Sequence, residues 1–379
     1  MFSRRSFVPP GDNELSALHR RHPGPHLDWS LANPTRVGLA RPDFAEILGR
    51  QQGPYLPDPR GWRPARDAIA ELYRGRGVEL SADDVVLTAS TSEAYSYLLT
   101  TLCDPGDAIA VPEPSYPLFE HLARLQAVEV VPYRLAYDGA WHLDLDSLAR
   151  GLGPRTRAIF VVSPNNPTGS FLKPDELERL WGFAVPLVVD EVFRPYRWSS
   201  FEGVIAEPLA RAPVLTCVLD GLSKRIGAPE LKLGWVALAG PRTAEALRRL
   251  EYVADTFLSV SSPVQRALPE LLRAGEPFRA ALMDRIERNL AALQGAATGS
   301  PVTVLHGEGG WYATVRLPAV LGEPEWLEVL LRRERLAPHP GWLFDFEQGP
   351  SFVVSLILPE AEFADASRRL VACATRQCS

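Results

Sequence analysis

From residue 85 to residue 239 the chain alternates short, mostly apolar runs with stretches whose apolar residues recur every three or four positions. The runs are Val85-Val86-Leu87, 108–111, 128–131, 158–162, Leu187-Val188-Val189, 214–219 and 235–239. Runs this short, apolar on both faces, predict strands buried in a mostly parallel sheet. The intervening stretches predict helices starting near Ser92, Pro117 and Pro174, after an earlier one from about residue 62 (Ala65, Ile69, Leu72, Tyr73). The expected fold class is therefore α/β: a mostly parallel seven-stranded sheet with helices on both faces. After residue 241 the pattern changes. Helical stretches cover 242–257, 263–274 and 277–296, then come strand-like segments at 302–305 and 311–317, a helix near 323–335, a strand at 352–358 and a last helix from Pro359. These predict a smaller α+β C-terminal domain. Residues 1–40 are rich in Pro, Arg and His without sustained periodicity, and are expected to be an arm packing with it. The expected boundaries are 1–40 for the arm, 41–257 for the large domain and 258–379 for the small one.

The chain has 379 residues and a net charge of −6, which argues against nucleic acid or an anionic membrane as the main partner. No apolar run approaches the roughly 20 residues of a membrane span. Arg4-Arg5 superficially resembles an export signal, but no apolar stretch follows, since Val8 is succeeded by Pro9-Pro10-Gly11-Asp12. Cys103, Cys217, Cys373 and Cys378 have neither metal spacing nor a paired pattern, so a cytoplasmic location is expected. His26, His142, His306 and His339 show no metal spacing either, and no metal is assigned. Only three of the 40 basic residues are lysines, Lys173, Lys224 and Lys232. A mechanism requiring an amine has just these candidates.

Functional groups in open α/β sheets gather outside the carboxyl ends of the strands. After 85–87 come Ser90, Thr91 and Ser92, small hydroxyl residues opening a helix, which suit either an anion site or a plain N-cap. After 108–111 comes a proline-stiffened loop carrying Tyr116. After 158–162 comes Asn165-Asn166-Pro167-Thr168-Gly169. Asp190 ends the next strand, where a carboxylate is costly to bury without a cationic partner. Gly221, Ser223 and Lys224 follow 214–219. An anion cradle, an aromatic ring, an amide, an acid and an amine together match pyridoxal 5'-phosphate, whose aldehyde takes a lysine and whose ring nitrogen takes a carboxylate.

These motifs, and above all Asn166-Pro167-Thr168-Gly169, Asp190-Glu191-Val192-Phe193 and Gly221-Leu222-Ser223-Lys224 followed by Leu233-Gly234-Trp235, resemble the class I/II aminotransferases of the aspartate aminotransferase fold (pyridoxal-phosphate fold type I). The resemblance runs from about Trp29 to Leu370. It implies that Lys224 is the Schiff-base lysine and proton shuttle, that Asp190 partners the pyridine nitrogen, and that Asn166 donates to the phenolic oxygen. Tyr116 is then the stacked ring and Ser90, Thr91 and Ser92 the phosphate loop. Tyr55, with Ser261 or Ser262, matches positions that reach the neighbouring subunit's phosphate, so a homodimer with shared sites is implied.

Three positions depart from the family pattern. Lys232 stands where an arginine usually forks onto the phosphate, and lysine loses the bidentate geometry. Phe193 stands where a tyrosine often bonds the phenolic oxygen. Val353 stands where an arginine usually grips the substrate carboxylate. Arg36 and Arg194 are the candidates to replace it, with Ala32 on the stretch lining the substrate side. The function implied is a ping-pong aminotransferase acting between an amino acid and a 2-oxo acid. The missing arginine keeps open another pyridoxal-phosphate reaction on the same fold, by a lyase, cyclase or oxidase.

Overall fold

The computed structural model describes residues 2–7 and 13–378; part of the export-signal reading, residues 8–12, lies outside the described residues. In chain order the strands are β1 (Leu27–Asp28), β2 (Val85–Thr88), β3 (Ala108–Glu113), β4 (Glu129–Tyr137), β5 (Trp141–Leu143), β6 (Thr156–Val162), β7 (Leu187–Asp190), β8 (Thr216–Gly221), β9 (Gly234–Ala239), β10 (Thr303–Val304), β11 (Tyr312–Arg316), β12 (Leu336–Ala337), β13 (His339–Pro340) and β14 (Ser351–Ser355). The large sheet has the order β2-β9-β8-β7-β6-β3-β4-β5. Neighbours from β8 through β4 are parallel, whereas β9 runs against both β2 and β8.

All seven expected runs are strands of this sheet. Their two-sided apolar character is explained by burial on both faces. Leu87, Ala110, Ile159, Val161 and Val189 pack into one core, and the alternating Val86, Ile109, Val111, Phe160 and Val188 pack into another. Each fully buried side chain of this kind contributes roughly 1.5–3 kcal/mol.

Three expectations need correction. The sheet has an eighth strand, β5, which pairs antiparallel with β4 across a tight loop at Gly139 (φ 112°). Its three residues are too few to show a period. Residues 14–21 of the arm form a helix, Glu14–Arg21, capped by Asn13 and burying only Leu18. The expected boundary at 257/258 also fails to match the packing. Helix Ser262–Ala274 buries Val264, Ala267, Leu268 and Leu271 in the large-domain core, while the next helix, Glu276–Ala297, buries Leu282, Ile286 and Leu290 with the small sheet.

The small sheet has the order β10-β11-β14-β13, all antiparallel. The arm joins the small domain twice, once in a separate two-stranded sheet and once at β14. Strand β1 pairs in parallel with β12, and Ser355 N donates to Trp29 O at 2.8 Å. In register, Tyr312 faces Ser355, and Val353 lies between Thr314 and His339. Residues directly opposite one another, and those two apart along a strand, share a face. Tyr312, Thr314, Val353, Ser355 and His339 therefore form one face. It looks toward the large domain and the arm: Thr314 Oγ1 donates to Pro167 O (3.4 Å) and Ser355 Oγ to Leu31 O (2.5 Å).

Candidate active site

Because β2, β3, β6, β7 and β8 all run in one direction, their carboxyl ends meet at one edge of the sheet, where a cavity of about 320 Å³ opens. It is lined by Ser90, Thr91, Ser92, Tyr116, Asn166, Asp190, Phe193, Gly221, Ser223, Lys224 and Lys232, and closed by Ala32 and Tyr312 from the arm and small sheet.

Each group is held by its own sequence context. Ser90 is the N-cap of helix Thr91–Leu102, its Oγ accepting from Glu93 N (3.1 Å), while Glu93 Oε2 accepts from Ala89 N (2.6 Å). The first-turn amides of this helix have no intrahelical acceptors, so the end presents donors and positive potential to the cavity. Gly234 opens β9 beside it. A Cβ there would lie 3.1 Å from both Asp220 O and Ser90 C and 3.2 Å from Thr91 N, so a side chain would press strand and cradle apart by a few tenths of an ångström. Tyr116, about half exposed, rides a loop fixed by Asn165 Nδ2 donating to Pro114 O (2.9 Å) and Ser115 N donating to Phe344 O (3.1 Å).

Asp190 is buried. Its Oδ2 accepts from Tyr95 Oη (2.7 Å) and its Oδ1 from Val192 N (3.0 Å). Burial nonetheless pushes its carboxyl up to about 6. Lys224 lies on the short helix Leu222–Arg225, anchored by Tyr196 Oη donating to Lys224 O (2.7 Å) and by Arg225 Nε donating to Asp220 Oδ2 (2.9 Å). Its Nζ sits 5.2 Å from the Trp311 ring centre and 5.9 Å from that of Phe193. Burial lowers its pKa, and the charge of Asp190 opposes that shift. Asn166 Oδ1 is buried with no hydrogen-bond partner. Lys232 is exposed with a left-handed backbone (φ 49°). The cavity thus combines a buried carboxylate lacking a cation, an amine more easily held neutral than in water, an unsatisfied amide and an anion cradle.

Neither arginine offered for the substrate carboxylate lines this cavity. Arg194 Nη1 donates to Glu191 Oε1 (2.8 Å) and Ala206 O (2.9 Å), and its Nη2 pairs with Glu207; with Arg76 it neutralises the buried Glu191. Arg36 is exposed at the end of the turn Pro34–Arg36. Val353 is fully buried. Tyr55 lies outside the cavity and is largely exposed, sharing a separate crevice with Ser262, Leu258 and Gln265. Sequence reasoning missed Tyr95 and Asn165, whereas Tyr312 was among the aromatic residues it offered for the pocket lining. Tyr95 sits in a helix as an ordinary core position would, and its only sequence signal is standing one helical turn after Thr91.

The family model for aminotransferase class I and II matches residues 28–353. Tyrosine aminotransferase from Homo sapiens is 28% identical over 371 residues, covering 91% of this chain and 80% of that protein. Glutamate-pyruvate aminotransferase AlaA of Escherichia coli (strain K12) is 30% identical over 258 residues, covering 65% and 63%. Among solved structures, a mutant aspartate aminotransferase from Thermus thermophilus superimposes with a TM-score of 0.86 at 23% identity, over 98% of this chain and 99% of that one, a likeness of fold. With most of its length matched by the model, the chain belongs to the class I and II aminotransferase family.

Proposed function

We propose that the cavity holds pyridoxal 5'-phosphate on Lys224 and that the enzyme moves an amino group between an amino acid and a 2-oxo acid. The observation that carries this is the convergence of five strand ends on one cavity, each bringing a group that the cofactor needs. The donor set fits at the unsatisfied points. The cradle at Ser90, Thr91 and Ser92, packed closely on Gly234, suits a phosphate, with Lys232 adding a point charge. Asn166 lines the cavity with an amide whose Nδ2 would donate to the phenolic oxygen. Asp190 has a carboxylate that a protonated ring nitrogen would stabilise. Tyr116 offers a ring to stack.

When bound, the cofactor supplies an electron sink for the pair left on the substrate Cα. The protein does the rest. Lys224 Nζ, kept readily neutral by burial, takes the proton from the substrate Cα. Tyr95 and Val192 fix the direction of the Asp190 carboxylate. Phe193 and Trp311 exclude water around the lysine. The relatives named above are aminotransferases, which favours transamination over elimination, cyclisation or oxidation.

We also infer a homodimer with shared sites in a cytoplasmic enzyme. Tyr55, Leu56 and Leu258 are exposed apolar residues lining the crevice that holds Ser262, and the exposed Phe257, stacked on Tyr97, and Tyr252 of the same helix extend an apolar surface suited to a second copy. The four cysteines are free, as a reducing compartment allows. No helix among the described residues is long and apolar enough to cross a membrane. The test is spectroscopic: candidate amino acids added to the holoenzyme should convert its visible band to that of the aminated cofactor, and a 2-oxo acid should restore it. No conversion with any amino donor refutes the reading.

A further inference from the structure

Trp311 reaches the lysine from the segment that leads into β11. Trp198 N donates to Glu308 O (2.9 Å), Gly310 N donates to Tyr196 O (2.8 Å) and Trp198 Nε1 donates to Gly310 O (3.0 Å), so residues 308–310 are laced to residues 196–198. A Cβ at Gly309 would lie 2.7 Å from Tyr196 O, so a side chain there would push the two segments apart. The Trp311 ring is fully buried and is met edge to face by Tyr196 (5.2 Å between ring centres) and Phe193 (5.3 Å). Tyr196 Oη also donates to Lys224 O (2.7 Å). One tyrosine therefore fixes both the indole and the backbone of the lysine, whose Nζ lies over the Trp311 ring, 5.2 Å from its centre.

This placement matters at the moment when the lysine acts as a base. As Nζ takes the proton, the substrate Cα–H bond breaks, its electron pair stays with the substrate carbon, and a neutral amine becomes an ammonium. Burial works against that ammonium. Of the charged and titratable groups around it, Asp190 with its donor Tyr95, Tyr116, Tyr312 and Lys232 line the same cavity, while Asp220 and Arg225 neutralise one another behind it. Asp190 favours the charge on Lys224, but in the aminotransferase reading its carboxylate is committed to the cofactor's ring nitrogen. What remains for the ammonium is the face of Trp311, and beyond it that of Phe193 at 5.9 Å. A cation within about 6 Å of an aromatic ring centre is attracted by the negative face of the ring, more strongly where water is excluded and most strongly by an indole.

We propose that Trp311 is a positioning residue for the proton transfer: its ring holds the Lys224 ammonium between the taking of the Cα proton and its release, with Phe193 as the weaker second ring. Trp311 acts through Lys224, making the buried amine a stronger base than apolar surroundings without rings would allow. The proposal rests on the aminotransferase reading and names a residue that serves its central step.

The test reads the amine itself. An excess of amino donor brings the holoenzyme to its aminated-cofactor form and frees the lysine. Trace acetylation at a series of pH values, followed by mass spectrometry, then gives the ionisation of Lys224, with Lys173 and Lys232 as internal references in a chain that has just three lysines. Trp311→Leu, which keeps the site apolar, should lower the Lys224 pKa by about one unit, and Trp311→Phe should recover more than half of that shift. A tryptophan that only filled space would give the opposite sign, because water entering beside a smaller side chain relieves the burial that disfavours the charge. A Lys224 pKa that is unchanged or raised in Trp311→Leu overturns the proposal. Should that variant not fold, Phe193→Leu is read in its place: a smaller downward shift is expected, and no downward shift overturns the proposal equally. If Lys224 takes the label as fast before the donor is added as after it, the lysine does not carry the cofactor and the aminotransferase reading falls. If the donor frees the lysine but its pKa does not drop in the variants, only the role of Trp311 falls.

Discussion

At the scale of single residues, Asp190 has the most consequential charge. Its carboxyl titrates near 6 in the fold against 3.8 in the open chain, so the folded state holds the extra proton between those values. Stability of the cofactor-free protein should therefore fall as pH rises from about 4 to about 6, by about 3 kcal/mol in total. Urea unfolding across that range should show the slope, and Asp190→Asn should flatten it. Tyr95 acts through this carboxylate. Tyr95→Phe removes one hydrogen bond to a charged acceptor and should weaken cofactor retention about fivefold, or about 1 kcal/mol, in a cofactor dissociation assay. The chemical groups at the strand ends were legible in sequence because each follows an apolar run directly. Tyr95 was not, because a tyrosine amid Ala94, Leu98 and Leu99 looks like core. Arg194 misled because its charge is shared between two carboxylates, Glu191 three residues before it and Glu207 13 residues after it, the second beyond any local pattern.

Among elements, close approach and interdomain pairing matter most. Gly234→Ala places a methyl group against three backbone atoms of β8 and the cradle, and should cost about 1–3 kcal/mol together with lowered cofactor content, checked by thermal unfolding and absorbance. Lys173 spans from the large domain to the buried Glu308, with Nζ 2.8 Å from its Oε1, and Phe171 N donates to the same carboxylate. Lys173→Met leaves that carboxylate without its cation and should destabilise by about 2 kcal/mol, reduced from the fully buried case because the lysine is about a quarter exposed; Glu308→Gln should cost less. Long periodic helices and two-sided apolar strands were readable. The two- and three-residue strands β1, β5, β12 and β13 were not, since pairing partners rather than pattern create them.

For the whole molecule, the exposed apolar surface around Phe257 and Tyr252 makes a quantitative demand. Phe257→Asp combined with Tyr252→Asp should convert a dimer to monomers in sedimentation, and if sites are shared, activity should fall with association rather than with folding. The assignment of helix Ser262–Ala274 to the large-domain core explains why sequence alone misplaced the boundary. Its apolar stripe has the same period whichever core it covers, and only Gly275 marks the change.

The ties between arm and small domain set how the wall over the active site can move. Since β1 is laced to β12, and Trp29 and Leu31 to Ser355, the cavity's two outer walls, Ala32 and Tyr312, belong to one mechanical body. Any swing of that body against the large sheet would carry both walls together, and cutting the tie at Ser355 would let one lag behind the other.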